Sequence, residues 1–277
     1  MPLSTLILTL NEEQDLRGCL QSVGWCGDVV VLDSLSSDGT QAIAESLGAR
    51  FFQREFDDFA GQRNYAIDNI EFKHDWVFHL DADERFTPAL LDECVSAISK
   101  DAHSGFLVPS KMVLWGRWLK HAAAYPVYQM RLTKLGEIRF AQYGHGQREF
   151  AAKRGIGRLS EPYLHHSFSG GVTKWLERHS RYAVQEAAQS LAELRGRALN
   201  WRCLFSKNVV SKRRALKELS FRLPFRPWLK FFYMYVLRMG FLDGAPGLTY
   251  CALQAIYEYM ICLKIKELRR REKGLPV

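Results

Sequence analysis

Residues 28–40 read DVVVLDSLSSDGT, and this stretch decides the fold. Val29–Leu32 is apolar without alternation, so both faces of the strand are buried, as in a parallel sheet covered by helices. Ser-Ser-Asp-Gly-Thr then supplies the residues that open a helix, which Ile43, Ala44 and Leu47 continue and Gly48 ends. The same unit recurs on either side. Leu3–Thr9 leads to Leu16, Cys19, Leu20 and Val23 at helical spacing. Arg50–Arg54 leads to a helix over Ala60–Ile70. Asp75–Leu80 (DWVFHL) leads to one over Pro88–Ser99, opened by Thr87. Strands alternating with helices predict an α/β fold with a mostly parallel, Rossmann-like sheet. Ligands in such sheets bind where strands end at their carboxyl edge. That rule selects Asn11–Glu12, Asp33 and Asp81–Glu84.

Beyond Gly105 the pattern turns irregular and aromatic, through VLWGRWLKH, YPVYQMRL and IRF. These read as short antiparallel strands or an insert over the sheet edge. A long amphipathic helix follows from Gly171 to about Arg197. The chain therefore divides into an α/β part, residues 1–170, and a helical part, residues 171–277. Two apolar segments of the latter, Trp228–Leu242 and Leu248–Leu263, are read as joined by a turn at DGAPG. Charge is divided too. Residues 1–200 carry 22 Lys and Arg against 25 Asp and Glu, whereas residues 201–277 carry 16 against 5. A basic C-terminal quarter points to an anionic partner surface.

Six cysteines without a CxxC or Cys/His metal spacing read as reduced thiols of a cytoplasmic protein. MPLSTLILTLNEE lacks the features of a signal peptide, so export is not expected. No run reaches the roughly 18–20 apolar residues of a spanning helix. A nucleotidyltransferase would show a glycine-rich basic loop after the first strand, and TLNEEQDL is acidic and has no glycine. A nucleic-acid-binding protein would leave the acidic sheet edge without a purpose, and the tail is too apolar between its charges.

HLDADE, residues 79–84, is the strongest candidate for chemistry. Asp81 and Asp83 either share a hard divalent ion with diphosphate oxygens or cap the following turn. Asp33 ends a strand and is suited to accept hydrogen bonds from a base N–H or a ribose hydroxyl. GQRNYA, residues 61–66, sets Arg63 and Asn64 at the same edge, where an arginine suits phosphate or a base carbonyl. YGHGQREF, residues 143–150, offers His145 and Glu149 near glycines as candidate general bases. His165, in YLHH, is either a core histidine or a metal ligand.

Taken together, TLNEE (9–13), VVVLDSLSSDGT (29–40), QRNYA (62–66) and HLDADE (79–84) resemble, in order and spacing, a family 2 glycosyltransferase of the GT-A fold. The likeness covers about the first 170 residues. It is closest to the bacterial branch acting in lipopolysaccharide core or exopolysaccharide biosynthesis, which has a His/Glu loop like YGHGQREF and a segment like YLHHSF before a long helix. Leu35 departs from the family, which usually has glycine there, and the acidic base motif of the processive synthases is not evident. The resemblance implies an inverting transfer from a UDP-sugar to a saccharide, a lipid-linked saccharide or lipopolysaccharide. Asn11, Glu12, Asp33, Arg63, Asn64 and Asp81 would then bind the nucleotide. Asp83, with Asp81 and His165, would hold Mg²⁺ or Mn²⁺. Glu149, or else His145, would be the base. The aromatic, arginine-flanked tail (Arg213, Arg214, Arg222, Arg226 and Arg269–Arg271) would dock on the anionic inner face of the cell membrane, with no role for nucleic acid.

Overall fold

The computed structural model describes residues 2–143, 146–150, 153–194 and 225–277. Strands β1 (Ser4–Thr9), β2 (Val29–Asp33), β3 (Arg50–Gln53) and β4 (Trp76–Asp81) are parallel, in the order β3-β2-β1-β4. The sheet continues through antiparallel β8 (Val127–Lys134) to β6 (Gly105–Leu114), then to β12 (Tyr163–His165) and β5 (Glu84–Arg85). β7 (Arg117–Trp118) and β11 (Ile156–Arg158) pair with β6, and β9 (Arg139–Tyr143) with β10 (Gly146–Phe150) forms a separate hairpin.

Both faces of the parallel part are covered, as the unalternating strands require. Ile7, Val31, Phe78 and Leu80 pack against α1 (Leu16–Ser22), α2 (Thr40–Ser46) and α4 (Pro88–Lys100). Leu6, Val30, Leu32 and Val77 pack against α3 (Phe59–Asn69) through Ala66. The Thr87 hydroxyl accepts the Leu90 N–H and starts α4.

At the opposite edge from the site, Asp28 ties three segments together. Its buried carboxylate accepts from the Ser4 hydroxyl at 2.6 Å, Lys73 N–H at 2.8 Å and Arg50 Nη1 at 2.9 Å. Burial opposes its charge, but these donors prevail and hold the carboxyl below its usual range. A carboxyl depressed on folding stabilises the native state above its unfolded pKa, and that stability is lost as pH falls through the folded value. Asp28→Asn is therefore expected to cost about 2–3 kcal/mol at pH 7. Denaturant titrations across pH should show the deficit closing below about pH 4.

The change from strands to helices falls at Gly171, where α5 (Gly171–Leu194) begins. After α6 (Arg226–Phe232) the chain widens into a π-helical turn, Tyr233–Leu237, and reverses through Gly240–Asp243 into α7 (Gly244–Glu272). DGAPG is thus not a turn between two helices. It is the first turn of α7, where the missing N–H of Pro246 costs nothing. The reversal lies earlier and depends on Gly240, where a Cβ would meet the Met234 carbonyl at 2.7 Å. Ala183, Ala187 and Leu191 of α5 pack on Ile261 and Ile265 of α7. Leu114, Leu119, Phe168, Trp175, Met234 and Cys251 then join the helices to the sheet. No described helix is long and apolar enough to cross a membrane. Arg213, Arg214 and Arg222 lie outside the described residues.

Candidate active site

β1 lies between β2 and β4 with Thr9 opposite Asp33 and Leu8 opposite Asp81, so both aspartates end on one edge of the sheet. They meet different fates. The two oxygens of Asp81 are held by Arg63 Nη2 from α3 and Arg131 Nη2 from β8, each at 2.9 Å. Arg131, only 2% exposed, also donates to Glu84. Burial opposes the Asp81 charge, but the two guanidiniums outweigh it and keep the carboxyl well below its usual range. For Glu84 burial wins over Arg131, and its carboxyl is pushed up to about 7.

Asp83 faces the other way. The YLHH segment is bound to the acidic turn by β12–β5 pairing, with His165 opposite Glu84, and by a 2.8 Å bond from His166 N–H to the Asp83 carbonyl. That register brings His165 Nε2 to 3.5 Å from Asp83 Oδ2. Burial disfavours both charges, yet each group favours the other's ionised form more: Asp83 is lowered and His165 raised. Both oxygens of Asp81 are thus engaged by arginines, whereas Asp83 meets His165. Among the described residues no three His, Cys, Asp or Glu side chains gather closely enough to form a complete metal site. Asp83 with His165 does fit a hard divalent ion whose remaining positions are filled by substrate oxygens and water, the usual way Mg²⁺ is held beside phosphates.

A narrow cleft joins Asp83 to Glu12, Asp15, Ser169, Lys174 and Arg178. Lys174 Nζ lies 3.3 Å from Glu12, and Arg178 Nη1 lies 3.9 Å from Asp83. Burial pushes the Glu12 carboxyl up to about 7, with Lys174 opposing and Asp83 adding to the rise. The first turn of α5 borders the same cleft. Acidic ligands on one side with two cations and a helix N-terminus on the other suit a metal–diphosphate group.

Next to this cleft, Asn11 and Asp33 shape the loop after β2. Asn11 adopts φ 54° and accepts Ser37 N–H at 2.9 Å, while its own N–H donates to the Ser36 hydroxyl at 2.7 Å. Asp33, expected to face a ligand, is fully buried and accepts from Thr9 Oγ1 and Ser36 N, both at 2.7 Å. In this structure it fastens the turn. Leu35 in that turn has φ 63° and is 55% exposed. The position requires the left-handed region that glycine enters freely, which explains why glycine is usual there.

Arg63 and Asn64 are also engaged within the fold. Arg63 is 2% exposed and spans from Asp81 to Gln147 on β10, its Nε donating at 3.0 Å. Asn64 clamps β9: its Nδ2 donates to the Phe140 carbonyl at 2.8 Å, and its Oδ1 accepts Phe140 N–H at 3.1 Å. Both residues position the hairpin against α3. Glu149 lies opposite Phe140 in that hairpin, two residues further from its tip than Gln147, and His145 lies outside the described residues.

Three cations with roles in the site were not singled out from sequence. Arg131 lies between Met130 and Leu132 in β8, and a charge among buried residues signals a buried partner. Lys174 and Arg178 are one helical turn apart near the start of α5, where the macrodipole disfavours cations. That placement was their only signal.

A twisted sheet with a β3-β2-β1-β4 parallel core, and an acidic turn at the carboxyl end of β4, define a GT-A glycosyltransferase. The glycosyl transferase family 2 profile matches residues 4–153, more than half of the chain, and the chain belongs to that family. Similar over its whole length is the lipopolysaccharide core biosynthesis glycosyltransferase LpsC of Rhizobium meliloti, 27% identical over 284 residues, covering 100% of this chain and 96% of that protein. A glycosyltransferase of Rickettsia bellii is 38% identical over 145 residues, 52% of this chain and 48% of its own. Among solved structures, the mannosyltransferase PcManGT from Pyrobaculum calidifontis, in complex with GDP-Man and Mn²⁺, shares the fold at TM-score 0.50. It is 15% identical, with 95% of this chain and 86% of that one covered.

Proposed function

We propose that this glycosyltransferase is a metal-dependent, inverting enzyme. It moves a sugar from a UDP-sugar to a saccharide or lipid-linked acceptor in lipopolysaccharide or related envelope polysaccharide biosynthesis. The acceptor class follows the full-length likeness to LpsC. The observation that carries the reading is Asp83, held by His165, lining one cleft with Lys174 and Arg178. Asp83 and His165 would hold Mg²⁺ or Mn²⁺, which stabilises charge on the leaving diphosphate as a Lewis acid. Lys174, Arg178 and the first turn of α5 take diphosphate oxygens. Asn11 and Glu12 border the nucleoside side, and the Asp33-bound turn shapes it. Asp81 stays with its arginines and fixes the edge of β4.

In the transfer itself, the acceptor oxygen attacks the anomeric carbon from the face opposite the diphosphate. The carbon–oxygen bond to the diphosphate breaks, and the acceptor proton passes to a base. The β9–β10 hairpin carries that base, with Glu149 its carboxylate. Direct displacement turns an α-linked donor into a β-linked product. The enzyme works at the inner face of the cell membrane, with the basic, aromatic C-terminal region on anionic lipid.

Incubation with UDP-sugars and a lipopolysaccharide-core acceptor, followed by NMR of the first-formed linkage, tests this reading. A β-linked product from an α-linked donor is expected, and retention of configuration would refute the displacement. Glu149→Gln should lower kcat at least about a hundredfold and leave UDP affinity unchanged. A variant as active as the wild type would move the base elsewhere.

A further inference from the structure

Away from the cleft, a cavity of about 370 Å³ opens between the loop after β7 and the turn after α6. Lys120, His121 and Tyr125 wall it on one side, and Tyr233, Arg238 and Met239 on the other. The buried Asp243 carboxylate accepts the N–H groups of His121 at 2.9 Å and Ala122 at 2.7 Å. Arg117 Nη2 donates to the Leu242 carbonyl at 3.2 Å. The two walls are thus tied together. Lys120 leans over the Trp118 ring at 5.7 Å, and among the described residues neither Lys120 nor Arg238 forms an ion pair.

The cavity opens onto an apolar surface of unusual extent. Trp228 is 73% exposed, Leu237 64%, Phe232 53%, Leu242 48%, and Phe241 and Met239 47%. Exposed side chains recur at 228–229, 232–233 and 236–237, one helical face. The opposite face, with Phe231, Met234 and Tyr235, is packed in the cluster around Trp175 and Cys251. Among the described residues the segment is therefore apolar on both sides with only one covered, the mark of an interaction surface. Residues 225–242 also hold Lys230 and Arg238 and no carboxylate, while Arg226 is paired with Glu258. A second copy of the chain would set these cations against each other across a two-fold contact. An anionic bilayer complements them while taking up the apolar face.

We propose that the cavity is a lipid-phosphate site: Lys120 and Arg238 bind the headgroup phosphate of an anionic membrane lipid whose chains lie along the Trp228–Leu242 face. It rests on the membrane placement given above and names the surface and contacts that would produce it. Tyr125 and Tyr233 supply hydroxyls at the rim, where an amphipathic ring belongs at a headgroup boundary.

The test is flotation of the full-length chain with neutral phosphatidylcholine vesicles and with vesicles containing phosphatidylglycerol. Each cation near an anionic surface is worth about fivefold in partition. Lys120→Gln with Arg238→Gln should therefore weaken binding to the anionic vesicles about 30-fold, with binding to neutral vesicles unchanged. Phe232→Ser with Leu237→Ser should weaken both. Titration with UDP reports whether each variant keeps its fold, since these residues lie outside the catalytic cleft. Undiminished binding of the charge variant to anionic vesicles would overturn the proposal. So would saturable binding of inorganic phosphate without vesicle binding, or a dimer that Phe232→Ser with Leu237→Ser splits without altering flotation. A wild-type chain that selects anionic vesicles but binds no UDP would count against the UDP-sugar donor and not against this site.

Discussion

Replacing Arg131 by methionine is expected to cost about 3–5 kcal/mol of folding stability, the largest effect of any single change outside the apolar core. Its guanidinium is buried and holds both Asp81 and Glu84. Methionine fills similar volume, so the loss isolates charge. Asp81 keeps Arg63, whereas Glu84 is left with the Asp81 N–H as its polar contact at 3.0 Å. A carboxyl whose folded pKa is raised does no harm below its unfolded value and destabilises as pH rises through the folded one. Glu84 is already pushed up to about 7, and removing Arg131 raises it further. The deficit should accordingly be smaller at pH 5 than at pH 8. Thermal melts at both values check this, and a deficit that does not change with pH would mean that Glu84 ionises freely.

Asp83→Ala is expected to lower transfer activity about a thousandfold with little loss of stability. Asp83 touches His165 and lies near Arg178 without the buried double bonding of Asp81. Its removal takes away a carboxylate that would hold the proposed divalent ion. The comparison with Asp81→Asn separates the two aspartates of HLDADE. That change should act first on stability, by loosening Arg63 and Arg131, and on activity through the displaced edge of β4. If Asp81→Asn abolished metal dependence while Asp83→Ala kept it, the roles given to the two carboxylates would be exchanged.

The architecture was legible because unalternating strands such as Val29–Leu32 and Trp76–Leu80 admit few other environments, and the carboxyl-edge rule then located the site. Which carboxylate would remain free was not legible. Asp81 and Asp83 are equivalent in HLDADE, and they differ through Arg63 and Arg131, the latter 50 residues away, on Asp81 and through His165 on Asp83. Arg63 and Asn64 lie at the edge that the sequence assigns them, but their bonds to Gln147 and Phe140, 84 and 76 residues distant, are not legible in it. Lys174 reaches Glu12 across 162 residues. Such pairings follow from how the hairpin and α5 close over the sheet, which local patterning does not encode. DGAPG misled for a local reason: glycine and proline mark a helix's first turn as readily as a loop.

Calorimetric titration of UDP and GDP into the protein, with and without Mn²⁺, on wild type and Asp83→Ala, tests the central assignment most directly. UDP should bind with a marked gain in affinity from Mn²⁺, GDP more weakly, and the Mn²⁺ gain should vanish in Asp83→Ala. UDP binding that ignores Mn²⁺ in the wild type, or an Mn²⁺ gain that survives in the variant, would contradict a metal–diphosphate site at Asp83.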